Sequence, residues 1–245
     1  MFDDSLQVFL SGLKELGLLE GEQESNQRLV EQFLCYRQEL LDWNTRFNLT
    51  AITDPQEVLL KHFLDSLSLL TVYDRPTARL LDIGSGAGFP GIPLKLVRPQ
   101  WQITLLEATG KKVTFLRHMI TTLQLEQIEV VQGRAEELAH RPEYRASFDI
   151  VTARAVAALP ILLEYCAPYC RVGGAILLPK KGDLADEMAQ GQRAATQVGA
   201  LFQAAIPVAL PQLADERRLL VWKQQKLCSA QFPRSGAAMA KRPLG

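Results

Sequence analysis

The sequence predicts an α/β protein: a doubly wound, mostly parallel sheet of seven strands with an N-terminal helical extension. Three observations carry the prediction. Up to about residue 72, apolar residues recur at steps of three and four, the period of a helix face. Beyond Arg75-Pro76, short apolar runs alternate with amphipathic stretches, the pattern of βαβ units joined by right-handed crossovers. The first of these runs, ARLLDIG, empties into a glycine-rich loop, as the first strand of such a sheet does where a ligand crosses its carboxyl end.

Leu29, Phe33, Tyr36, Leu40 and Trp43 form one stripe of a helix over roughly 26–43, and that stripe needs a partner surface. Asp54-Pro55-Gln56-Glu57 reads as an N-cap, a first-turn proline and a capping-box glutamate. It opens a second helix whose Leu60, Phe63, Leu64 and Leu67 share a face. His62, Asp65 and Ser66 fall on the opposite face, at i, i+3 and i+4. They radiate from one helix, so they are expected to face a substrate or the sheet rather than to converge as a catalytic triad. Strands follow at ARLLDIG, WQITLLEA, IEVVQG, FDIVTA and GGAILLPKKG, with helical stretches PGIPLKLV, GKKVTFLRHMITTL and LPILLEYCAPYC between them. ALFQAAIPVAL and ERRLLVWKQ supply two more strands that close the sheet. Trp101, just before the second strand, is read as packing. FPRSGAAMAKRPLG is too rich in Gly, Pro and Ala to be assigned regular structure. The organisation expected is a helical cap over 1–73, a sheet domain over 74–225 and a basic tail over 226–245, together one structural unit.

Composition narrows the function classes. The 245 residues, 47% apolar and 22% charged, suit one globular domain with an appended element. No apolar run approaches the roughly 18 residues of a membrane span, and acids stand where a secretory leader carries bases, so a cytoplasmic protein is expected. Cys35, Cys166, Cys170 and Cys228 show no C-x-x-C spacing; reduced thiols are expected, with no metal. Lys plus Arg equals Asp plus Glu, 27 each, so overall charge makes no case for nucleic acid. Its distribution does: from Lys223 to the end there are five basic residues and no acid, which suits a phosphate-facing tail.

The loop itself admits two ligands. Gly86 to Gly91 fits the G-x-G-x-x-G spacing of a dinucleotide turn, and Gly84, Gly86 and Gly88 fit the G-x-G-x-G turn that holds S-adenosylmethionine. Glu107, at the end of the second strand, is placed to accept ribose hydroxyls from either. Two features favour S-adenosylmethionine. Phe89-Pro90 puts a bulky ring and a residue without an N–H where pyrophosphate would meet a helix N-terminus. Asp82, just before the first glycine, suits a cationic amino-acid moiety better than a phosphate. After the fourth strand the chain runs into Arg154-Ala155-Val156 rather than an Asn/Asp-Pro-Pro-aromatic stretch, which disfavours exocyclic amines as acceptors. Cys166 and Cys170 lie in an apolar run and read as core, so no cysteine nucleophile is expected. An acceptor that carries a lone pair and no proton remains, and guanine N7 is one: its methylation needs alignment rather than a general base.

KHFLDSLSLL, LLDIGSGAGFPGIPLKLV, FDIVTARAVA, LLPKKG and FPRSGAAMAKRPLG, in that order, resemble the glucose-inhibited division protein B family, the bacterial 16S ribosomal RNA (guanine-N7) methyltransferases. The resemblance runs from about residue 30 to the end. It implies a class I S-adenosylmethionine-dependent methyltransferase, Rossmann-like, acting on a guanine in the decoding-region loop of 16S rRNA, free or in the 30S subunit, with S-adenosylhomocysteine as by-product. The resemblance places cofactor contacts at Gly84, Phe89, Glu107, Ala108, Thr109, Ala135, Glu136 and Arg154, beside Asp82 and Gly86 expected from the loop itself. The tail departs from the family pattern, which more often has Pro where Ala238 stands and a basic residue where Ser235 stands. Arg154, at the carboxyl end of a strand, is expected to stabilise charge by contacting O6, a phosphate or the cofactor, leaving N7 free. Arg46, His62, Lys180, Lys181, Arg234 and Lys241 are the candidates for RNA contact. A monomer without membrane attachment is expected. The rival readings are an NAD-dependent oxidoreductase and a non-catalytic RNA-binding assembly factor on the same scaffold.

Overall fold

Helix α1 (Asp4–Glu15) and helix α2 (Gln23–Phe47) open the chain. A computed structural model describes residues 4–19, 22–208 and 216–245. Helix α2 outruns its apolar stripe at both ends, because the flanking residues are polar helix formers that no pattern of burial marks. It stops at Asn48, whose left-handed backbone (φ 48°) turns the chain while its N–H bonds the Asn44 carbonyl.

Asp54 caps the short helix α3 (Pro55–Glu57) by accepting from the N–H groups of Gln56 and Glu57 at 2.8 and 2.9 Å. The carboxylate of Glu57, expected to close a capping box, pairs instead with Lys61. The helix then widens into a π-helix over Val58–Leu64 and resumes as α4 (Asp65–Leu67) and a 3₁₀ turn (Ser68–Thr71). This corrects the face assignment made from a 3.6-residue period. His62, Asp65 and Ser66, expected to face a substrate or the sheet, are all buried. The i→i+5 ladder resets which side chains share a side, and both sides of the helix are covered.

The sheet comprises β1 (Arg79–Ile83), β2 (Gln102–Glu107), β3 (Ile128–Gln132), β4 (Phe148–Ala153), β5 (Cys170–Lys181), β6 (Ala200–Pro207) and β7 (Arg217–Gln224), in the order β3-β2-β1-β4-β5-β7-β6. Neighbours from β3 across to β5 run parallel, and β7 lies antiparallel to both β5 and β6. The seven strands are thus the expected ones; residues 209–210 of the expected sixth lie outside the described residues. Between them lie α5 (Gly91–Val97), α6 (Gly110–Thr122), α7 (Ala135–Leu138), α8 (Leu159–Cys166) and α9 (Ala185–Val198). Periodicity did not single out α9: it buries Gly191, Ala194, Ala195 and Val198, too small a set of apolar residues to stand out. The tail also contains a helix, α10 (Gly236–Lys241), contrary to its irregular-looking composition.

One core layer joins α1, α2, the π-helix, α5 and α6 to a face of the sheet through Phe9, Phe33, Tyr36 and Phe63, with Tyr36 stacked 5.0 Å from Phe63. The other joins α8 and α9 to the opposite face and takes in Cys228, Phe232 and Leu244 of the tail. Strand order reverses between β1 and β4, so a crevice opens at their carboxyl ends.

Candidate active site

Beyond β1 the chain turns through Gly84, Gly86 and Gly88, all with positive φ (68°, 62° and 99°). Gly84 and Ser85 donate to the Leu106 carbonyl at the end of β2. The decisive clamp is Glu107: its Oε2 accepts from Gly86 N–H at 2.9 Å and its Oε1 from Thr109 N–H at 2.8 Å, with the residue only 6% exposed. A carboxylate offers about four acceptor positions, so two remain for a ligand. From the cap, Tyr36 donates to the Ala87 carbonyl at 2.5 Å. A Cβ on Gly88 would come within 2.6 Å of that phenol oxygen, so the close approach of helix and loop requires glycine there as much as the turn does.

A cleft of about 420 Å³ opens over this loop. Of the expected cofactor contacts, Gly84, Gly86, Phe89, Glu107, Ala108, Ala135, Glu136 and Arg154 line it, joined by His62. Thr109 does not; it stands at the residue before α6, without a side-chain capping bond, and contributes its N–H to Glu107. Asp82 does not either, which corrects its expected place beside a cationic ligand. Its side chain is fully buried beneath the loop, where Oδ2 accepts from Gly91 N–H at 3.0 Å and Oδ1 has no partner. Burial raises its pKa from 3.8 to about 7, against the lowering effects of the Gly91 hydrogen bond and of Arg154. The unfolded chain releases this proton near 3.8 and the folded chain near 7, so the native state holds more protons between those values and loses stability as pH rises through them. Asp82→Asn is therefore expected to gain stability over the unaltered protein progressively from about pH 4 to 7. Thermal unfolding of both across that range checks it, and a difference independent of pH would contradict the assignment.

The cap supplies the opposite wall. Arg154, at the end of β4, donates from Nη1 to Asp65 at 3.0 Å and to the Lys61 carbonyl at 3.3 Å, while Nη2 lies 3.0 Å from His62 Nδ1. Its guanidinium sits over the Phe89 ring, 5.0 Å from the centroid. Arg217 holds the other oxygen of Asp65 at 2.9 Å. The His62 ring stacks on Phe89 (4.3 Å, 13°), and its Nε2 lies 2.8 Å from Thr50 Oγ1. Burial and the two guanidiniums lower the His62 pKa to about 3, so this imidazole is neutral at physiological pH. Leu49, Thr50, Lys112, Arg134, Val156 and Tyr165 also line the cleft and were not singled out from sequence. Arg134 adjoins the Ala135-Glu136 pair and was within reach of that reading; Thr50 needed the fold.

The expected RNA contacts divide. Lys180 is spent on Glu187 at 2.7 Å and on the Ala157 carbonyl. Arg234 is spent on Glu164, a carboxylate with no exposed surface, through its backbone N–H, its Nε and its Nη2. Neither presents a free charge, a correction that charge pattern could not foresee. Lys181, Lys241 and Arg46 are exposed, with Arg46 lying over the Trp43 ring. The two tail departures prove to be linked: Ser235 caps α10 by accepting from Ala238 N–H, a donor that proline at 238 would lack. Burial pushes the thiols of Cys166 and Cys170 up, so both stay protonated core residues. Among the described residues, no group of three or more His, Cys, Asp or Glu side chains could hold a metal ion, and no helix is long and apolar enough to cross a membrane.

Comparison with known proteins gives one answer. Residues 29–220 match the family described as rRNA small subunit methyltransferase G. A ribosomal RNA small subunit methyltransferase G of Roseiflexus sp. (strain RS-1) is 46% identical over 219 residues, 89% of this chain and 93% of that protein. One of Dehalococcoides mccartyi (strain CBDB1) is 43% identical over 233 residues, 95% of this chain and 97% of that protein. Among solved structures, a SAM-dependent methyltransferase from Aquifex aeolicus matches with a TM-score of 0.54 at 14% identity, covering 72% of this chain and 97% of that one, a likeness of fold.

Proposed function

This chain belongs to the rRNA small subunit methyltransferase G family, and on that premise we propose that it transfers the methyl group of S-adenosylmethionine to N7 of a guanine in the decoding-region loop of 16S rRNA. The observation that carries the choice of acceptor is the commitment of His62 and Arg154. The substrate-side wall presents a neutral imidazole with its Nδ1 already accepting, and a guanidinium; neither takes a proton at neutral pH. An exocyclic amine or a ribose hydroxyl would find no base there, whereas N7 has no proton to lose.

The cleft fits the cofactor. A Cβ on Gly86 would meet nothing nearer than the Gly84 carbonyl at 3.8 Å, so bare backbone faces the space above the loop. Glu107 would hold the ribose hydroxyls with its two remaining acceptor positions, and Ala135 and Glu136 would flank the adenine. The nicotinamide reading fares worse: Gly91 N–H, at the start of α5, is already taken by the Asp82 carboxylate, which leaves no helix terminus for a pyrophosphate. When bound, S-adenosylmethionine supplies a methyl group activated by its sulfonium. The protein's own contribution is alignment and exclusion of water: Glu107 and the glycine loop fix one wall, Phe89 with the stacked His62 fixes the other. Of the basic residues expected at RNA, Lys181, Lys241 and Arg46 are exposed and would meet its phosphates.

The test is methyl transfer from radiolabelled S-adenosylmethionine to unmethylated 30S particles and to naked 16S RNA, with the modified base mapped. Label is expected as 7-methylguanine in the decoding-region loop, and the preferred form of RNA identifies the substrate. Cofactor binding without transfer would favour an assembly factor, and calorimetric binding of NADH in place of S-adenosylmethionine would favour an oxidoreductase.

A further inference from the structure

We propose that the Thr50 hydroxyl reads O6 of the target purine, donating the hydrogen bond that selects guanine over adenine. This rests on the reading of the cleft as a guanine-N7 methylation site. The argument starts at the end of α2. Asn44, nearly buried, accepts with Oδ1 from the N–H groups of Leu49 and Thr50 at 2.6 and 2.9 Å, and donates from Nδ2 to the Thr50 carbonyl at 3.0 Å. Both backbone polar groups of Thr50 are therefore fixed by one side chain.

The hydroxyl is fixed as well. Arginine only donates, so the contact between Arg154 Nη2 and His62 requires Nδ1 to be the acceptor. A neutral imidazole then carries its one proton on Nε2, and Nε2 must donate to Thr50 Oγ1 at 2.8 Å. The Ile52 N–H donates to the same oxygen at 3.1 Å. A threonine oxygen has two lone pairs and one proton. Both lone pairs are filled, so what Thr50 has left to offer is its proton, and Thr50 lines the cleft. The chain Asp65, Arg154, His62, Thr50 thus converts a fixed guanidinium into a hydroxyl that is a donor at every physiological pH.

Its position suits the base rather than the cofactor. Loop, Glu107 and Ala135 stand at the ends of β1, β2 and β3; His62 and Thr50 are tied to Arg154 at the end of β4, across β1 from them. A purine presenting N7 to the methyl group presents its six-position beside it. Guanine has an acceptor there, O6, and adenine has a donor, the N6 amine. A donor at Thr50 pairs with the first and opposes the second. Arg154 has three of its five N–H donors committed to protein, both on Nη1 and one on Nη2, and so is held in place beside the imidazole that orients Thr50.

Thr50→Val keeps the shape and removes the donor; Thr50→Ser keeps the donor. The substrates are reconstituted 30S particles with guanine, inosine or 2-aminopurine at the target; inosine keeps O6, and 2-aminopurine keeps N7 but lacks O6. The unaltered protein is expected to methylate inosine as it does guanine and 2-aminopurine about tenfold less efficiently. Thr50→Val should lose about tenfold in kcat/KM on guanine and nothing further on 2-aminopurine, with calorimetric affinity for S-adenosylmethionine unchanged and Thr50→Ser close to the unaltered protein. Unaltered transfer to guanine by Thr50→Val, or an equal loss on both bases, overturns the proposal while leaving the reaction itself standing. If Thr50→Val fails to fold, the unaltered protein decides alone, since equal transfer to guanine and 2-aminopurine overturns it. Absence of any 7-methylguanine with the unaltered protein would overturn the reaction first.

Discussion

Glu107→Ala is expected to reduce affinity for S-adenosylmethionine by a hundredfold or more, to the limit of calorimetric detection, in a protein that still folds. Two losses add. The carboxylate holds the loop by accepting from Gly86 and Thr109 N–H, and without it Gly86 is no longer fixed at the angle that opens the cleft. The same group offers its other acceptor positions to the ribose, and hydrogen bonds to a charged acceptor contribute about 1.5–3 kcal/mol each. Glu107→Gln sharpens the test, because an amide must turn one N–H toward a backbone N–H that now donates to a carboxylate oxygen; a loss of affinity nearly as large is expected. Affinity within about threefold of the unaltered protein in both variants would remove the ribose from this position.

Arg234→Ala is expected to destabilise the protein by about 3–5 kcal/mol, because it leaves Glu164 ionised or protonated at cost in a site with no exposed surface. For a chain of this size that corresponds to a fall in melting temperature on the order of ten degrees. Arg234 donates three hydrogen bonds to that carboxylate and so clasps the tail to α8. Replacing both partners, Arg234→Ala with Glu164→Met, should recover part of the loss, since no buried charge is then orphaned. The salt dependence of RNA binding should stay as in the unaltered protein, because this guanidinium is committed to Glu164 rather than to phosphate. A reduced salt slope with no change in melting temperature would return Arg234 to the RNA-contacting role that its charge alone suggests.

The wall of the cleft formed by the glycine loop and the ends of β2 and β3 was largely legible before the fold was known. Gly84, Gly86, Glu107, Ala135 and Glu136 sit at the ends of strands, in the turns after them or at the start of the helix that follows, where a local pattern fixes both the backbone and the direction of the side chain. Asp82 shows the limit of that reasoning: its place at the end of β1 could be seen, but whether its carboxylate turned up to a ligand or down to Gly91 could not. The Cys166 and Cys170 thiols read as core because an apolar run is itself a statement about burial.

The opposite wall was not legible, and the reason is distance along the chain. Thr50 lies 12 residues from His62, but Arg154 lies 92 from His62 and 89 from Asp65, and Arg217 is farther still along the chain, so no spacing rule connects them. The π-helix at Val58–Leu64 compounds this by resetting the faces that a 3.6-residue period assigns. By itself the sequence determined the strand order's raw material, the glycine turn and the acceptor waiting beside it, because periodicity and turn chemistry act over a few residues. Only the tertiary structure decided which charges are spent inside the protein, as Lys180 and Arg234 are, and which polar atoms face the cleft. A charge is neutralised, or a hydroxyl oriented, by whatever the rest of the chain brings within about 3 Å of it.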